Sequence, residues 1–136
     1  MNLNDCPVRV YGDQKWRGKC ASESVEQITF FNRIRKVPIY GVLALHPRNE
    51  GKRHFKQVAR EKAEGMTKGA SDIIIPGNPS FVCELKRRDR TQSSWQDGQK
   101  EYLEAAKKAG AFVCVALGAD AATEAFSEWL SIQETS

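Results

Sequence analysis

The chain has no run of the ~18 consecutive apolar residues that a membrane-spanning helix needs, so a helical membrane protein is excluded from the readings. It has no C-x-x-C pair either. Its four cysteines, Cys6, Cys20, Cys83 and Cys114, are scattered, which argues against a zinc centre. They fit a reducing compartment, and a cytoplasmic location is expected. Met1-Asn-Leu-Asn-Asp5 does not read as a signal peptide. Internal repeats, linkers and low-complexity segments are missing, and so is a strong charge imbalance. The net charge of +4 permits a polyanionic partner without demanding one. What is there is ordinary: 136 residues, 40% hydrophobic and 28% charged. That suits a single domain able to bury roughly two thirds of its unfolded-chain surface.

Residues 1–21 are polar and irregular and read as an N-terminal arm or a short edge element, with one domain over 22–136. Ser24-Val-Glu-Gln27 predicts a capping box, and Val25, Ile28, Phe31 and Ile34 give the helix behind it an apolar stripe to about Lys36. Ile39–Leu45 predicts a buried strand, 46–53 a loop, and 55–64 a polar helix. Residues 94–109 predict a helix with Trp95, Tyr102, Leu103 and Ala106 on one side. Ala111–Leu117 predicts a strand covered on both faces, and Asp120 caps a last helix. Trp95, Phe126 and Trp129 read as core. The order implies an α/β fold with a mixed sheet of about four strands flanked by helices.

The informative stretch is Asp72, then Ile73-Ile74-Ile75, a Pro76-Gly77-Asn78-Pro79 break, and Phe81-Val82-Cys83-Glu84-Leu85-Lys86. It predicts a β-hairpin. Alternation puts Val82, Glu84 and Lys86 on one face and Phe81, Cys83 and Leu85 on the other. A turn centred on Asn78 sets Asp72 opposite Glu84. A turn centred half a residue earlier pairs Asp72 with Cys83 and breaks the site. Two carboxylates that close repel unless a proton or cation lies between them, and hard oxygen ligands suit Mg²⁺ or Mn²⁺. Taken alone, E-x-K on a strand is better explained by a surface ion pair of Glu84 with Lys86 or Arg87. Lys86-Arg87-Arg88-Asp89-Arg90 puts four cations in five residues beside the acids, as a phosphodiester substrate would require. Lys52-Arg53 and Lys15, Arg17 and Lys19 form smaller basic groups.

Gly65-x-x-x-Gly69-x-x-Asp72, Phe81-Val-Cys-Glu84-Leu-Lys86, Gln99-x-x-Tyr102-Leu103 and Gly110-Ala-Phe-Val-Cys-Val115, in this order, resemble the PD-(D/E)xK nuclease superfamily and, within it, the VRR-NUC family of virus-type replication-repair nucleases. The resemblance covers residues 24–132, with a fainter echo at Asn49-Glu-Gly. The V-R-R of the family's name is absent, and Leu85-Lys86-Arg87-Arg88 stands near its place. The resemblance implies a restriction-endonuclease-like fold and an Mg²⁺- or Mn²⁺-dependent endonuclease hydrolysing DNA phosphodiesters. By the same resemblance, Asp72, Glu84 and the main-chain carbonyl of Leu85 would hold the metal, with Glu26 as an additional acid. Lys86 would orient the attacking water, and Gln99 would support Lys86 or a phosphate. Arg87, Arg88, Lys68, Lys52 and Arg53 are the expected DNA contacts. Stand-alone members imply a homodimer cutting branched DNA such as four-way junctions or flaps, of bacterial or phage origin. A sequence-specific restriction-type enzyme and a DNA-binding module with weak activity stay open. His46, before a proline, is read as a structural or solvent-facing residue.

Overall fold

The computed structural model describes residues 1–47 and 55–134. Lys52, Arg53, His54 and the Asn49-Glu50-Gly51 echo therefore lie outside the described residues. In chain order the elements are β1 (Arg9–Tyr11), α1 (Glu23–Ile34), α2 (Tyr40–Leu43), α3 (Phe55–Ala63), β2 (Ile73–Ile75), β3 (Phe81–Lys86), α4 (Gln99–Lys108), β4 (Phe112–Leu117) and α5 (Ala119–Glu134). The strands form one mixed sheet in the order β1-β4-β3-β2.

The hairpin takes the register centred on Asn78. Ile73 pairs with Cys83, Ile74 with Val82 and Ile75 with Phe81, so one further step sets Asp72 opposite Glu84. Strand β4 runs parallel to β3, with Glu84 beside Val115 and Lys86 beside Leu117, and parallel to β1 on its other side. Phe81, Cys83, Leu85, Cys114 and Ala116 pack under Phe30 and Ile34 of α1 and Ala122, Phe126 and Trp129 of α5. The opposite face carries Val115 and Leu117 against Val8, Leu103 and part of Trp95. Covering on both faces explains the unbroken apolar run of β4. Phe126 and Trp129 are core, as expected.

Three local expectations are corrected. Ile39–Leu45 is not a strand. Tyr40–Leu43 forms the short helix α2, and Leu45 bridges to the sheet backbone, exchanging hydrogen bonds with Ile74 at 2.9 and 3.0 Å. A Cβ on Gly41 would lie 2.2 Å from the Ile34 carbonyl oxygen, so glycine lets this segment fold against the end of α1. An apolar run without periodicity does not distinguish the two outcomes. The fourth strand comes from Arg9–Tyr11 instead.

The helix expected from residue 94 starts at Gln99. Before it, the Ser94 carbonyl accepts from Lys86 Nζ and the Gln96 N–H donates to Gln99 Oε1, so site side chains occupy groups a first helical turn would use. Asp120 lies inside α5 and pairs with Arg33 at 2.8 Å. The N–H of Ala119, at the start of α5, is met by another acid, described below.

Candidate active site

Asp72 is placed by the segment entering β2, and Glu84 and Lys86 by alternate positions of β3. All three are buried, Glu84 and Lys86 each only 1% exposed. Gly69, with φ +77°, brings this segment against α4: a Cβ there would lie 2.2 Å from the carbonyl carbon of Gly98. That close approach explains a glycine three residues before Asp72. Asp72 Oδ2 accepts the Leu85 N–H at 2.9 Å, and its main-chain carbonyl accepts from His46 Nδ1 at 2.7 Å. A carbonyl can only accept, so Nδ1 carries the proton.

Gln99 joins the acid to the lysine. Its Nε2 donates to Glu84 Oε1 at 3.0 Å while its Oε1 accepts from Lys86 Nζ at 2.9 Å. Lys86 Nζ also donates to the Ser94 carbonyl at 2.8 Å, and it stands 4.0 Å from Glu84 Oε1. Two of the three ammonium protons are thereby committed and one is left to serve a ligand. The Trp95 ring centroid lies 5.8 Å from the same Nζ.

Burial pushes the Glu84 carboxyl well above the ordinary glutamate range. The adjacent Asp72 adds to this by its charge and by a hydrogen bond that the protonated carboxyl can share with it, Lys86 opposes it, and Glu23 raises it further. Glu84 Oε2 is buried, and when the carboxylate is ionised no donor meets it. A buried carboxylate oxygen with neither donor nor cation is costly. The donor set therefore suits a hard cation beside Asp72. Among the described residues no group of three His, Cys, Asp or Glu side chains converges as ligands. Two carboxylates match Mg²⁺, which keeps several waters and takes the rest of its shell from carbonyl and phosphate oxygens.

The other expected residues are placed as follows. Glu26 meets the start of α5, its Oε2 accepting the Ala119 N–H at 2.8 Å. A Cβ on Gly118 would stand 2.4 Å from that oxygen, and Gly118 has φ +95°, so glycine is needed there twice over. Glu23 is the α1 acid whose charge acts on Glu84; its Oε2 also accepts from Ser93 Oγ at 3.3 Å. It was missed because the helix starts two residues earlier than the box at Ser24 suggests. Ser22 is the N-cap, accepting from Val25 N at 3.2 Å. Arg87 is half-buried and donates to the carbonyls of Ala21 at 3.0 Å and Cys20 at 2.7 Å, so it ties down the arm. Arg88 is exposed and stacks on Trp16, 4.1 Å from the ring centroid. Lys68 is exposed and paired with Asp97.

A buried acid pair and a lysine thus lie together on one face of a mixed four-stranded α/β sheet. The chain is similar to a solved VRR_NUC domain protein, with a TM-score of 0.67 and 21% identity over 85% of this chain and 92% of that one, and it has that protein's fold. No family model matches the chain, and no curated protein matches it.

Proposed function

We propose that the protein is a VRR-NUC-family nuclease that hydrolyses DNA phosphodiesters with Mg²⁺ or Mn²⁺. The observation that carries this reading is the buried Oε2 of Glu84, met by no donor, on a carboxylate whose strand position lies opposite Asp72, with the Lys86 ammonium on the same strand face. The fold shared with a VRR_NUC domain protein supports it.

In this reading Asp72, Glu84 and the Leu85 carbonyl hold the metal, and Glu23 adds negative charge from α1. When bound, the metal lowers the pKa of a coordinated water and neutralises charge on the scissile phosphate. The chain's own groups do the positioning. The Leu85 N–H fixes one Asp72 oxygen and Gln99 fixes one Glu84 oxygen, so the second oxygen of each carboxylate would be the one available to a cation. The remaining Lys86 proton orients the attacking water or a non-bridging phosphate oxygen. Lys86 is read as a donor rather than a general base, because its Nζ already donates to Gln99 Oε1 and the Ser94 carbonyl. Glu26 acts on α5, through Ala119, and serves the site by fixing that helix.

The proposed substrate is branched DNA, a four-way junction or a flap, cut by a homodimer whose symmetric sites suit paired nicks. The resemblance in the Asp72–Val115 motifs supports this choice. The test is a panel of four-way junction, flap, nicked, single-stranded and linear duplex DNA with Mg²⁺ or Mn²⁺, with light scattering to size the protein. Cleavage at the branch is expected, and Asp72→Asn, Glu84→Gln and Lys86→Ala each lower it at least ~10²-fold while DNA binding persists. Wild-type cleavage rates in all three variants would refute the site, and discrete fragments from linear duplex would favour a restriction-type enzyme.

A further inference from the structure

Three tryptophans are present, and the structure uses two of them. Trp129 is fully buried in the main core, and Trp95 packs against the second one. Trp16 belongs to neither cluster. It is half-buried on a loop of the arm, and its ring is covered by the Arg88 guanidinium, 4.1 Å from the centroid.

The loop is built to hold that ring. Asp13 accepts the Lys15 N–H at 2.9 Å through Oδ1 and the Trp16 N–H at 3.2 Å through its carbonyl. Arg90 Nε donates to the Gln14 carbonyl at 3.1 Å. Gly18 N–H donates to Asp89 Oδ2 at 3.1 Å, and the Gly18 carbonyl accepts from Gln92 Nε2 at 2.8 Å. Every outside anchor lies in the segment just after Lys86. The Asp89 carboxyl is held far below its usual range by donors, the Thr91 hydroxyl foremost. The ring's position is therefore fixed relative to the acids. Arg88 is two residues beyond Lys86, and its Cβ would lie 3.5 Å from a Cβ on Gly118, whose N–H donates to the Lys86 carbonyl at 2.8 Å.

The surroundings are cationic. Lys15, Arg17, Lys19 and Arg88 are all exposed, and none forms an ion pair among the described residues. A fixed, partly exposed indole on a guanidinium, rimmed by Lys15 and Lys19 and by Arg17, whose Nη1 donates to the Gln14 and Trp16 carbonyls, has the composition of a base-stacking platform with its backbone-tracking charges.

We propose that Trp16, stacked on Arg88, binds an unpaired nucleobase of the DNA substrate next to the scissile phosphate, with Lys15 and Lys19 on the flanking phosphates. The inference rests on the nuclease reading of the neighbouring acids and adds to it a reason for preferring DNA with unpaired bases. Stacking is indifferent to base identity, so the platform selects strand state rather than sequence.

The test is fluorescence anisotropy in EDTA, with full-length protein and two probes: a flap or single-stranded oligonucleotide, and a blunt duplex. Trp16→Ala is expected to weaken binding to the probe with unpaired bases by about tenfold and to leave the duplex within about twofold. Trp16→Phe, which keeps an aromatic face, retains most of the affinity and guards against a folding defect. Lys15→Ala with Lys19→Ala weakens both probes and lowers the salt slope. Undiminished binding of the unpaired probe by Trp16→Ala, or an equal loss on both probes, overturns the proposal. Because binding is read without metal, absence of cleavage by the wild type would instead overturn the nuclease reading.

Discussion

Glu84 is where burial, charge and function meet. Its folded-state pKa lies above its unfolded value, chiefly because it is desolvated beside Asp72. The folded protein therefore holds a proton that the unfolded chain releases. Stability of the metal-free protein falls as pH rises from the ordinary glutamate range through the raised value. Thermal melts from about pH 5 to about pH 8 in EDTA should show this decline, and Glu84→Gln should flatten it and raise Tm at about pH 8 by roughly 3–5 °C, or about 1 kcal/mol. Adding Mg²⁺ should raise the wild-type Tm and not that of the variant. A wild-type melt that improves steadily over this range would contradict the assignment. The basic run divides on the same grounds. Arg87→Ala should destabilise by about 1–2 kcal/mol through two lost carbonyl contacts while leaving the salt slope of DNA binding unchanged. Arg88→Ala should reduce that slope by about one phosphate contact. Adjacent arginines with different fates could not be separated in sequence, because the residues that claim Arg87 lie more than sixty positions away.

The hairpin was the most legible element, since alternation and the Pro-Gly-Asn-Pro break fix which side chains share a face and limit the registers to two. The apolar run at Ile39–Leu45 was not legible, because a buried-looking run of that length fits a strand or a turn of helix equally. Nor was the start of α4, which depends on Lys86 and Gln99 taking the backbone groups before it. The start of α5 depends likewise on an acid from α1, and helices that lack a local cap do borrow one. Glu26→Ala should cost about 1 kcal/mol of stability by leaving the Ala119 N–H without its acceptor. Glu26→Gln should recover most of that loss and most of the cleavage. A glutamine variant with wild-type stability but no cleavage would instead place Glu26 among the metal-binding acids.

The arm belongs to the whole molecule rather than to its margin. It supplies β1, it puts Val8 into one core and Tyr11 into the other, and it bonds to Arg87, Arg90, Trp95 and Lys100. Removing residues 1–21 uncovers the edge of β4 and several apolar side chains. Such a truncation should lower Tm by more than ~10 °C and elute as aggregate, measurable by thermal melt and size exclusion. A truncated protein with the wild-type melt would show that the sheet closes without its fourth strand.

The indole of Trp95 sits between two ammonium groups, Lys86 at 5.8 Å and Lys100 at 5.5 Å from its centroid, while its ring N–H is held by the Asn2 carbonyl. Emission from an indole follows the electric field across it. A phosphate reaching Lys86 alters that field, whereas Trp129, sealed in the core, contributes a constant background and Trp16→Phe removes the remaining indole. The protein thus contains its own optical gauge of site occupancy, readable without labels and before any bond is cut.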